Sequence, residues 1–189
     1  MNITCDTERY LDEVIGHNEY RGVFENLVVM DVGCNIGTFL FWIYPLVSKI
    51  YALDISQVNI DNLNKTCDEG HLNKIKTICA GISGTGGVRK YKSSSDAGQG
   101  AWRLDEEGTL EIQTYSIKEF LEREKIDYVD ILKIDIEGGE YEAINRDFPV
   151  DKIATVVGEC HFKSLKEQFD ILGYRYFELP NQKFVARRI

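Results

Sequence analysis

The stretch Asp31-Val32-Gly33-Cys34-Asn35-Ile36-Gly37 constrains this chain more than any other. It follows the apolar run Leu27-Val28-Val29-Met30 and leads into the bulky run Thr38-Phe39-Leu40-Phe41-Trp42-Ile43. An apolar strand, a glycine-bearing turn and a helix, in that order, open a nucleotide-binding βαβ unit. Gly33 lets the backbone bend tightly, and Gly37 keeps a side chain away from the ligand or the incoming helix. A second apolar run, Ile50-Tyr51-Ala52-Leu53, ends in Asp54, 21 residues after Gly33. A carboxylate at that spacing is placed to accept the two hydroxyls of a ribose. Turn, helix, strand and acid together predict an adenosine-containing cofactor, with Ile55 beside Asp54 able to lie against the adenine face.

Composition narrows the function classes. The chain has 189 residues, 43% hydrophobic and 28% charged, which suits one globular domain with a substantial core. Its net charge of −9 and scattered basic residues argue against a nucleic-acid partner or an anionic membrane. No apolar run reaches the roughly 18–20 residues of a membrane span. Asp6, Glu8, Asp12 and Glu13 give the N-terminus the wrong sign for a secretory signal. The five cysteines are odd in number and form no C-x-x-C pair, so a reducing cytoplasm is expected.

The pattern along the chain is an alternation of strands and helices over residues 1–189, read as a single domain whose first 26 residues form a helical lead-in. Strands are predicted at 27–32, 50–54, 75–80, 129–135 and 153–158, with helices capped by Ser56 and Ser116. Such alternation predicts a doubly wound α/β fold, a mostly parallel sheet with helices on both faces. Two last strands, 174–179 and 183–188 around Pro180-Asn181, break it as a C-terminal antiparallel hairpin, expected at the sheet edge. A polar loop at residues 93–100 is long enough to be functional.

Two further segments carry chemistry. Lys133-Ile134-Asp135-Ile136-Glu137-Gly138-Gly139-Glu140 alternates charged and apolar residues at the carboxyl end of a strand, where open parallel sheets bind ligands. Asp135 or Glu137 is expected to pair Lys133; a purely structural ion-pair network is the competing reading. Glu159-Cys160-His161 ends the next strand on the same side. His161 is the leading candidate for a general base because an imidazole titrates near neutrality, with Asp135, Glu137 and Glu159 positioning substrate or sharing the role. The same four side chains offer oxygen and imidazole ligands for a divalent metal. They sit on separate strand ends, and no metal is expected.

The cofactor is either a nicotinamide dinucleotide or S-adenosylmethionine. Asn35 stands where the dinucleotide fingerprint has its second glycine, and a side chain there crowds a pyrophosphate but tolerates a methionine tail. The first-turn stretch, Tyr51-Ala52-Leu53-Asp54, the string from Asp130 to Glu140 and the strand end Val156-Val157-Gly158-Glu159-Cys160-His161 resemble the FkbM family of S-adenosylmethionine-dependent methyltransferases. The K-I-D-x-E-G-x-E string is the most specific of these. The resemblance implies a seven-stranded Rossmann-like class I methyltransferase fold. It makes Gly33, Asn35, Gly37 and Asp54 the cofactor contacts, and Asp31 at the strand end is counted with them. It implies O-methylation of a hydroxyl on a sugar or small metabolite. A nicotinamide-dependent oxidoreductase and a non-catalytic adenosine-binding module are the alternatives. The oligomeric state is not legible.

Overall fold

A computed structural model of the chain describes residues 26–93 and 102–189. The predicted lead-in helix and most of the polar loop lie outside the described residues. The main sheet is built from β1 (Leu27–Val32), β2 (Val47–Asp54), β3 (Ile75–Cys79), β8 (Val129–Ile134), β9 (Ile153–Glu159), β10 (Tyr174–Glu178) and β11 (Lys183–Arg188). Its order is β10-β11-β9-β8-β1-β2-β3. All neighbouring pairs are parallel except the two that involve β11.

The expected mostly parallel sheet is present, and one detail is corrected. The reversed strand is not at the edge. β11 slots between β9 and β10, so β10 is the edge and runs with the parallel strands. The hairpin is real, but its second arm folds inward, because Phe184, Val185 and Ala186 are all apolar and buried on both faces.

Alternating side chains divide the core between those faces. Met30, Leu132, Val156 and Phe184 point one way, against α3 (Ile117–Glu124) and α5 (Lys166–Ile171). Val29, Ile131, Val157 and Val185 point the other way, against α1 (Thr38–Ile43) and α2 (Gln57–Glu69). On the first face Phe169 is fully buried, and its ring lies 5.6 Å from both Tyr174 and Phe184. The Tyr174 hydroxyl donates to the carbonyl of Ile153 at 2.6 Å, so its burial leaves no orphaned polar group. The predicted helix caps form: Ser56 accepts from the Asn59 amide, and Ser116 makes a reciprocal capping box with Glu119.

Between β3 and α3 the chain builds a second, four-stranded sheet. It comprises β4 (Gly81–Ile82), β5 (Gly87–Ser93), β6 (Trp102–Leu104) and β7 (Leu110–Tyr115), in the order β4-β7-β5-β6. Among the described residues no helix is long and apolar enough to cross a membrane.

Candidate active site

The parallel strands end on one side at Val32, Asp54, Ile134 and Glu159, and a cavity of about 550 Å³ opens there. The first turn shapes its floor. Gly33 and Cys34 both donate to the Leu53 carbonyl at 2.9 Å, tying the turn to β2. Gly33 has φ +80°, and a Cβ on it would lie 1.8 Å from the carbonyl oxygen of Asp135. Only glycine lets the ends of β1 and β8 come this close. Gly33, Asn35, Asp54 and Ile55 line the cavity.

Asp54 is nearly buried and heavily used. Its Oδ1 accepts from the Ser56 amide at 2.8 Å and from Asn59 Nδ2 at 3.2 Å, and its Oδ2 accepts from the Asn35 amide at 2.9 Å. Burial pushes its carboxyl above the usual range, against those three donors. A carboxylate offers about four lone-pair sites, so Oδ2 keeps capacity for one more donor. Asp54 therefore does two things: it locks the β1 and β2 turns together, and it presents an acceptor to the cavity.

Two expected cofactor contacts are elsewhere. Asp31 is fully buried and does not line the cavity. Lys133 Nζ lies 3.1 Å from its Oδ1 and donates to the Gly33 carbonyl at 2.8 Å. Burial pushes the Asp31 carboxyl up while Lys133 opposes it. Burial would lower Lys133, but Asp31 and Asp135 outweigh that and hold it above its ordinary value. Asp31 thus anchors the lysine that props the glycine turn. Gly37 also lies off the cavity. It starts α1 with φ +90°, and a Cβ there would meet Leu63 at 2.6 Å and Phe41 at 3.2 Å. Its bare Cα serves the packing of α1 on α2.

At the other end Asp135, Glu137 and Glu159 line the cavity, and His161 gathers them. The His161 Nε2 lies 3.7 Å from Asp135 Oδ1, 3.5 Å from Glu137 Oε2 and 4.0 Å from Glu159 Oε2. Strand alternation does not explain this convergence, because β8 ends at Ile134 and Glu137 sits in a left-handed turn with φ +56°. The organiser is Glu140, in the one-turn helix α4 (Glu140–Ala143). Only 3% exposed, Glu140 accepts from the Ile136 amide at 2.9 Å and the Gly138 amide at 3.0 Å, and holds His161 Nδ1 at 3.0 Å.

That arrangement decides the charge on the ring. The hydrogen bond to Glu140, with the nearby carboxylates, outweighs desolvation and raises His161 to about 9. Burial would raise Glu140, but His161 and the amides of Ile136 and of Glu140 itself hold it below its ordinary value. The upward shift of His161 favours the imidazolium, the form without a lone pair to act as base. Its ring does not line the cavity. Burial and the charge of Asp135 raise the Glu159 carboxyl. Ligand atoms of Asp135, Glu140 and His161 lie within 4.8 Å of one another, a set able to hold a metal once the ring has shed its proton.

A family model described as the methyltransferase FkbM domain matches residues 17–182. The chain belongs to the FkbM methyltransferase family. The hexuronic acid methyltransferase AglP of Haloferax volcanii is 28% identical over 120 residues, 64% of this chain and 49% of that protein. The match thus spans about half the length of this curated relative. The methyltransferase FkbM of Methylobacillus flagellatus has a TM-score of 0.56 at 14% identity, over 86% of this chain and 43% of that one. TrmK of M. capricolum, solved with S-adenosyl-homocysteine, has a TM-score of 0.53 at 14% identity, over 90% of this chain and 66% of that one. At such identities these two likenesses are ones of fold. Within the FkbM string, Glu140 is the member whose role residue chemistry alone did not reveal; a glutamate four residues after an amide-bearing turn is its local signal.

Proposed function

We propose that this FkbM-family chain transfers the methyl group of S-adenosylmethionine to a hydroxyl oxygen of a sugar. The observation that carries this is one cavity joining two chemically distinct ends. One end offers an acceptor oxygen of Asp54 beside the apolar Ile55, Ala80, Ile82 and Leu104, which suits a ribose and an adenine. The other end offers the carboxylates Asp135, Glu137 and Glu159, which suit a positively charged methionine portion and a hydroxylated acceptor. The donor set fits the cofactor. The hexuronic acid acceptor named for the Haloferax relative supports a sugar.

When bound, the cofactor supplies an activated methyl group on a sulfonium. The protein's part is alignment and removal of the acceptor's proton. Glu159 is the group we assign to receive that proton. It lines the cavity, and its raised carboxyl is a stronger base than an ordinary glutamate. Asp135 shares the site and the role, and Glu137 orients the acceptor. His161 becomes a positioning residue: its cation, fixed by Glu140, draws the three carboxylates into one cluster.

Calorimetry with S-adenosylhomocysteine tests the cofactor, and rates with methyl-labelled S-adenosylmethionine test the chemistry. A folded protein that shows no binding at millimolar concentration would refute the proposal. Glu159→Gln should lower kcat by about 10²-fold or more with that product still bound.

A further inference from the structure

Phe162 is the most exposed large apolar side chain next to the carboxylate cluster, at 78% exposure, and it lines the cavity. Leaving a phenyl ring in water costs free energy, so its position calls for an explanation. The segment that carries the ring is held on both sides. On one side His161 is tied to Glu140 at 3.0 Å; on the other, Lys163 Nζ lies 3.1 Å from the centre of the Tyr141 ring. Both anchors are on α4, so the segment carrying Phe162 is clamped at two points. Gly138 makes the room: its φ is +107°, and a Cβ there would lie 2.0 Å from the Phe162 ring. The turn that presents Glu137 thus also seats the phenyl ring.

We infer that Phe162 is the platform on which the acceptor's sugar ring lies, while Glu137 and Glu159 accept hydrogen bonds from its hydroxyls. A pyranose has an apolar face of C–H groups and a rim of hydroxyls. A preorganised phenyl face beside carboxylates matches both halves. The inference rests on the sugar-hydroxyl reading above and adds the residue that selects for a ring with an apolar face. Because Phe162 is largely exposed, its removal leaves the fold intact.

The test compares wild type, Phe162→Ala and Phe162→Trp with methyl-labelled S-adenosylmethionine and a panel of methyl glycosides that includes methyl β-glucuronoside. For a glycoside that wild type methylates, Phe162→Ala should raise the acceptor KM by about tenfold, with kcat within about twofold. Phe162→Trp should keep the wild-type KM, and calorimetry should give all three the same affinity for S-adenosylhomocysteine. An unchanged KM in Phe162→Ala, or a loss confined to kcat, overturns the platform and leaves the sugar reading standing. If wild type binds S-adenosylhomocysteine but methylates no glycoside in the panel, the sugar reading falls and the platform with it.

Discussion

Replacing His161 by Gln should destabilise the protein by an amount that fades as pH rises. The ring's folded-state value is raised from 6.5 to about 9, so its charge stabilises the fold fully below pH 6.5. That contribution is lost as pH climbs through about 9. At about 1.4 kcal/mol per pKa unit, the shift sets an upper bound of roughly 3.4 kcal/mol. The side chain is 21% exposed and its partners Asp135, Glu137 and Glu159 are more open, so solvent screens part of this. About 1.5–2 kcal/mol is the working value. Urea unfolding of both proteins in EDTA, from pH 6 to pH 9.5, gives the difference directly. Titrations common to both, such as Asp31, cancel. The wild-type advantage should shrink by that amount between pH 6.5 and pH 9.5. A pH-independent gap, or a ring proton resonance titrating near 6.5, would refute the Glu140-held imidazolium.

Gly33→Ala should cost roughly 2–5 kcal/mol, from left-handed strain and the collision with the Asp135 carbonyl, read as a lowered urea midpoint. Asp54→Asn sets an amide donor against the Asn35 N–H; it should cost about 1–3 kcal/mol of stability and weaken S-adenosylhomocysteine binding at least about tenfold by calorimetry. Phe169→Ala should cost about 3–5 kcal/mol in the same unfolding assay, because its ring joins Phe148, Tyr174, Tyr176 and Phe184 in one buried cluster.

Where the governing interaction is local, the sequence was legible. The apolar alternation of Val29-Met30 and Ile131-Leu132 located the strands and the core, and Ser56 and Ser116 announced their helices. Glycine turn and Asp54 marked one end of the cavity because their chemistry lies within one βαβ unit. Misreadings came from contacts made across the sheet. Asp31 and Gly37 have the residue types of ligand contacts, but Asp31 faces Lys133, about a hundred residues on, and Leu63 on α2 fills the space beside Gly37. His161 has the residue type of a general base, but Glu140, 21 residues earlier, holds its Nδ1. The inward placement of β11 depends on pairing with β9, and no local pattern in residues 183–188 encodes its partner.

The small sheet has a consequence for how this protein can diversify. Gly81 and Ile82 pair with Thr114 and Tyr115, so the chain leaves the main body and returns to it at adjacent points. The described residues between form an excursion stapled at its base, with Gly84 and Arg89 also tied to Asn145 and Glu142. Lengthening such an excursion costs only about 0.6 kcal/mol per doubling, since the entropy of closing a loop grows only with the logarithm of its length. Arg103 and Leu104, carried on this excursion, reach the cavity, whereas the turns that hold Asp54 and Lys133 lie outside it. Exchange within residues 83–113 that keeps the ties of Gly84 and Arg89 would re-tailor one wall of the cavity while the frame that holds Asp54, Lys133 and Glu140 is inherited unchanged.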